Sequence, residues 1–234
     1  MRWLAVLLAL TLTACTTKLG KDGRTESTVD PKYLLKTEVD RIADANRAEV
    51  MAGLMLIADK LYKRNPKEWK KAGVASREAA LDRLKNRYYH SLPELGGLRE
   101  GPAAALAFSE TYTGDRVAAL MLGLLTMADA AFEHKEEFYI LDGLNENKLY
   151  NCARNMEVAV WKLGNDRNAA GELFLLANEL DPVNRNLSFE REFGRLMGLL
   201  DFMAKIVADR NGRTFSRLSQ SVVSTIFLPV SFLK

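Results

Sequence analysis

Apolar side chains recur every three or four residues along most of this chain, and no stretch alternates with the period of two that marks a strand. The pattern predicts helices. Asp30-Pro31 reads as the start of the first, because Asp is a good N-cap and proline suits the first helical position. Leu35, Val39, Ile42, Val50, Leu54, Ile57 and Leu61 carry its apolar stripe to Asn65-Pro66, where proline disfavours helix in the residue before it. Asn65-Pro66-Lys67-Glu68 reads as an N-cap at Asn65 with Glu68 at the third helical position, a variant of the capping box, and opens a short helix with Trp69 that closes at Gly73. Ser76 caps a third, with Leu81, Leu84 and Tyr88 on one face.

Residues 91–102 are rich in glycine and proline and predict a loop, the one candidate for an internal domain boundary. Pro102 opens a short helix through Phe108. Val117 to Ala128 is apolar nearly all round, which predicts a buried central helix too short to cross a bilayer. Asn145 caps a helix bearing Leu149, Met156, Val160 and Leu163, and a further helix is expected over Leu173, Leu176, Ala177 and Leu180. Phe193, Leu196, Leu200, Met203 and Val207 mark another, ending at Asn211-Gly212. Phe215, Leu218, Val222 and Ile226 continue at helical spacing. The fold class expected is all-α, a compact domain of about eight helices over residues 30–234.

The chain begins differently. Arg2 precedes an apolar run from Leu4 to Leu12, followed by Thr13, Ala14 and Cys15. A positive start, a short apolar core and small residues before a cut define an export signal. Leu12-Thr13-Ala14-Cys15 resembles the lipobox of bacterial lipoproteins. The resemblance implies cleavage between Ala14 and Cys15, removal of residues 1–14, and acyl chains on Cys15. Several such chains give stable anchoring. With Thr16 rather than Asp after the cysteine, the resemblance implies the outer membrane; it does not say which leaflet, and the expected orientation has the body facing the periplasm. Residues 16–29 are polar, contain Gly20 and Gly23, and read as a flexible tether.

Cysteine and charge sharpen this picture. The chain has two cysteines; with Cys15 acylated, Cys152 has no partner within the chain and reads as a buried structural thiol. The formal net charge of +3 conceals an asymmetry. Lys60, Lys63, Arg64, Lys67, Lys70, Lys71, Arg77, Arg83, Lys85 and Arg87 stand against Glu68, Glu78 and Asp82. Asp129, Glu133, Glu136, Glu137, Asp142 and Glu146 stand against Lys135. Lys63, Arg64, Lys67, Lys70 and Lys71 around Trp69 are candidates for contact with a membrane or another anionic surface. An exported location argues against nucleic acid.

Ala170, Phe174, Ala177 and Pro182, with Trp161 before them, resemble part of a tetratricopeptide repeat, which implies paired antiparallel helices; no second copy follows. His90 and His134 are the only histidines, so no paired-histidine metal motif exists. Glu133 and Glu137 would lie one turn apart on a helix, where a solvated acidic helix end is the simpler reading. No nucleophile elbow, phosphate loop or dinucleotide fingerprint is present, and neither a cofactor nor a metal is expected. The apolar C-terminal stretch makes Ile226, Phe227, Leu228, Phe232 and Leu233 candidates for a tail that binds a partner or a membrane. The expected function is an outer-membrane-anchored binding or scaffolding module for another envelope component, with an envelope protein as partner. The alternatives are a carrier of a lipid or other apolar ligand and a lipid-anchored enzyme.

Overall fold

The computed structural model of the chain describes residues 16–19, 25–28, 35–87, 92–212 and 226–233. Ala14, Cys15 and His90 lie outside them. The described residues form an all-α fold of seven α-helices and one short 3₁₀ turn, together with a two-stranded hairpin near the N-terminus. Contacts divide the chain into two units: Met1–Asp44 with Glu137–Asp142, and Ala45–Glu136 with Gly143–Lys234. The 91–102 segment falls inside the second.

In the smaller unit, β1 (Thr16–Leu19) pairs antiparallel with β2 (Thr25–Thr28), Thr16 opposite Thr28 and Leu19 opposite Thr25. Helix α1 (Glu38–Arg64) begins at Glu38; Asp30 and Pro31, read from the sequence as a helix start, lie outside the described residues. Thr37 and Asp40 form a reciprocal cap: Asp40 Oδ2 accepts from the Thr37 N–H at 2.8 Å and the Asp40 N–H donates to Thr37 Oγ1 at 3.2 Å. Lys36 binds both Asp44 and Glu137 and lies 4.7 Å from the centre of the Tyr139 ring. Burial alone would lower the Lys36 pKa, but hydrogen bonds and attraction from the two carboxylates raise it overall.

The larger unit is built around α5 (Arg116–Ala131), in which every residue from Val117 to Ala131 is buried. Asp115 caps it, Oδ1 accepting from the Ala118 N–H at 2.9 Å. Helices α4 (Glu100–Leu106) and α6 (Glu146–Asn165) pack on α5, and α7 (Ser188–Arg210) packs on α6. The α4–α5 approach depends on Gly123: a Cβ there would stand 2.6 Å from both the Ala104 nitrogen and the Glu100 oxygen. Helix α2 (Pro66–Lys71) and α3 (Arg77–Arg87) also contact α5. Ser76 caps α3 through the Ala79 N–H, and Asn145 caps α6 through the N–H groups of Asn147 and Lys148. Cys152 on α6 is fully buried, and burial pushes its thiol pKa up, which disfavours the reactive thiolate.

One correction concerns a segment that periodicity assigned to helix. Residues 166–187 form no helix; they run as a loop with single bridges between Arg167 and Leu173 and between Glu179 and Asn186. Local side-chain bonds capture the backbone there: Asn168 Oδ1 accepts from Ala170 and Glu172, and Asp181 Oδ1 from Val183 and Asn184. Gly171, at φ +79°, turns the chain between them. Residues 226–233 form an irregular strap containing Pro229; Phe215, Leu218 and Val222, placed at helical spacing before Ile226, lie outside the described residues.

Candidate functional site

The basic residues singled out from the sequence lie at the C-terminal end of α1 and along α2, and the structure sorts them. Lys63 pairs with Asp59 at 2.5 Å, Arg64 with Glu179 at 3.3 Å, and Lys71 with Glu68 at 2.7 Å. Lys67 and Lys70 are exposed and, among the described residues, stand outside these ion pairs; the Lys70 ammonium lies 5.5 Å from the centre of the half-buried Trp69 ring. Glu68 has a different task from the capping one expected of it. It is buried, and its Oε2 accepts from the Arg116 N–H at 2.8 Å, so α2 places a carboxylate at the N-terminus of α5. Asp115 is the second carboxylate at that end. Burial raises its pKa, while the Tyr62 hydroxyl donates to it at 2.9 Å and favours the charged form. Burial, and then the neighbouring Asp115 charge, push the Tyr112 phenol up to about 12. Arg116 donates to the carbonyls of Ala107 and Ser109, both at 2.9 Å, and its guanidinium lies 4.8 Å from the Phe174 ring centre.

The loop that follows α6 is brought against this basic end. The Asn65 side chain, expected to cap α2, instead grips the main chain of Leu176: Nδ2 donates to its carbonyl and Oδ1 accepts from its N–H, each at 2.8 Å. Lys60 donates to the Ser188 carbonyl at 2.9 Å. Together with Arg64–Glu179, these contacts tie the loop to α1 at three points while leaving Leu176, Leu180, Val183 and Leu187 exposed. Nothing in the local sequence marked this juxtaposition.

The C-terminal strap divides as well. Asn155 of α6, with no exposed surface, donates to the Leu228 carbonyl at 2.9 Å and accepts from its N–H at 2.7 Å. Asn151 donates to the Pro229 carbonyl at 3.0 Å, Val230 is fully buried, and Ser231 binds the Glu100 carboxylate through its hydroxyl and its N–H. Glu100 holds this position at φ +47°, in the left-handed region, with its own N–H donated to Thr126 Oγ1 at 2.7 Å. Phe227, Leu228 and Leu233 are half-buried, whereas Ile226 is 72 % and Phe232 88 % exposed.

The acidic segment is not a helical carboxylate pair. Helix α5 stops at Ala131, and Glu133 and His134 both adopt left-handed backbone. Glu133 pairs with Lys148 at 2.7 Å. His134 Nδ1 lies 2.6 Å from the buried Asp129 Oδ2, and the His134 N–H donates to the Asp129 carbonyl, so the pair closes the helix and orients the ring. Among the described residues, no group of three or more His, Cys, Asp or Glu side chains could hold a metal ion. No helix among them is long and apolar enough to cross a membrane. Comparison of the chain with family models, curated proteins and solved structures gave no match.

Proposed function

We propose that this chain is a lipoprotein anchored through Cys15 in the outer membrane, facing the periplasm, whose helical body is a binding module for another envelope protein. The lipobox Leu12-Thr13-Ala14-Cys15 supports the anchor. The observation that carries the binding role is the strap. Residues 228–231 are held by Asn155, Asn151 and Glu100, while the apolar side chains of Ile226 and Phe232 stay in water. Large apolar groups held out by a fixed backbone are what a partner's apolar pocket recognises.

A photo-crosslinking side chain at position 232, introduced into the lipoprotein in intact cells, tests this. The expected result is a discrete adduct with one envelope protein, lost when Asn155→Ala frees the strap. Absence of any discrete adduct refutes the binding role. The anchor is tested separately: Cys15→Ser abolishes acylation and signal cleavage, and normal processing of that variant overturns the lipoprotein reading.

A further inference from the structure

We propose that the loop over 176–187, together with Lys67 and Lys70, is a second membrane contact that seats the body against anionic phospholipid; this rests on the reading that Cys15 anchors the chain to a bilayer. Three observations converge. The loop is tied to the C-terminal end of α1 by Asn65, Arg64 and Lys60, so its exposed apolar side chains are held in place next to the basic end. Val183 is 87 % and Leu180 71 % exposed, on a turn closed by Asp181. Lys67 and Lys70 are exposed beside Trp69, an interfacial type of aromatic.

The place of the lysines supplies an orientation. The N-terminus of α5 meets α2 through Glu68 and Arg116, whereas Glu133, His134, Lys135 and Glu136 follow its C-terminus, with Glu133 paired to Lys148. The helix separates those ends by about 24 Å. An anionic surface therefore attracts the lysine-bearing end, and the lipid anchor supplies the proximity. The apolar side chains of the loop then enter the headgroup boundary, while Asp181 stays among headgroups and Glu179 remains paired with Arg64.

The test uses the full lipoprotein in vesicles of phosphatidylethanolamine and phosphatidylglycerol. An environment-sensitive fluorophore is placed at Val183→Cys or, as control, at Lys205→Cys, exposed on α7 about 26 Å along the helix from Ser188. Cys152 is buried with a raised pKa and stays unlabelled. Spin-labelled lipid should quench the fluorophore at 183 and not at 205. Replacing Lys67 or Lys70 with Gln should weaken the contact about fivefold each. Equal quenching at the two positions, or quenching at 183 that persists when phosphatidylcholine replaces phosphatidylglycerol, overturns the proposal. Mass spectrometry reports the anchor independently: an unacylated Cys15 refutes the anchoring, while the same labelled chain carrying Cys15→Ser, added to vesicles, still reads the loop.

Discussion

Replacing Asn155 with Ala should release the C-terminal strap without unfolding the body. The Asn155 carboxamide makes two hydrogen bonds to the Leu228 main chain, at 2.9 and 2.7 Å, and a weaker contact from Nδ2 to the Met127 sulfur at 2.9 Å. A neutral hydrogen bond contributes about 1 kcal/mol net, so the pair is worth about 2 kcal/mol. Leu228 is half-buried, so water can reach its N–H and C=O once the side chain is gone, and no penalty for an orphaned group is added. A loss of about 2 kcal/mol raises the population with the strap undocked roughly thirtyfold.

Amide hydrogen exchange reads that population residue by residue. In Asn155→Ala the Leu228 amide should exchange roughly thirtyfold faster, while amides in the middle of α7, such as that of Leu200, keep their protection. Asn155→Asp should be worse than Asn155→Ala, because it keeps the acceptor for the Leu228 N–H but turns a second oxygen, and a charge, toward the Leu228 carbonyl. Unchanged exchange at Leu228 in Asn155→Ala would show that the strap is held by its side chains and that the carboxamide is incidental.

Gly123→Ala should destabilise the fold by about 1–3 kcal/mol in urea unfolding, although alanine is the better helix former by about 1 kcal/mol, because the new methyl meets α4 backbone that has no way to yield; a more stable variant would refute the close approach. Tyr62→Phe should cost about 1.5–3 kcal/mol by removing the donor to buried Asp115. It should also change the pH dependence. Asp115 has its folded pKa raised above the ordinary 3.8, so its contribution is fully present below that value and is lost as pH rises through the folded pKa. Without the Tyr62 bond the folded pKa rises further and the loss extends to higher pH; urea midpoints that differ from wild type by the same amount at every pH would contradict this.

Elements fixed by local chemistry were legible from the chain alone. Ser76 and Asn145 cap the helices expected of them, Pro66 starts α2, and the apolar run from Val117 is the buried centre. The start of α1 at Glu38 is set by the reciprocal bonds of Thr37 and Asp40, a cap that the apolar spacing alone did not reveal. The helix expected at 173–180 fails for a related reason. Leucine spacing there is helical, but Asn168, Gly171 and Asp181 offer the backbone turns at closer range. Charge counting found the basic segment, yet it could not separate Lys67 and Lys70 from the residues already paired, because Glu179 reaches Arg64 from a distant part of the chain. The two asparagines that pin non-helical segments left no sequence signal, since each partner is distant and any main-chain residue would satisfy it.

Those two pins bear on what the fold can do. Asn65 holds Leu176, and Asn155 holds Leu228, by the same pair of main-chain bonds. Holding a segment by its backbone separates fixing it from burying it. A loop secured by its leucines would have to hide them; this one displays Leu180 and Val183, and the strap displays Ile226 and Phe232. Side chains that contribute little to the fold can change at little cost to it, within about 0.5 kcal/mol for exposed positions. The side chains displayed at these two places are therefore adjustable almost independently of stability, whereas a change at Asn65 or Asn155 removes the display itself.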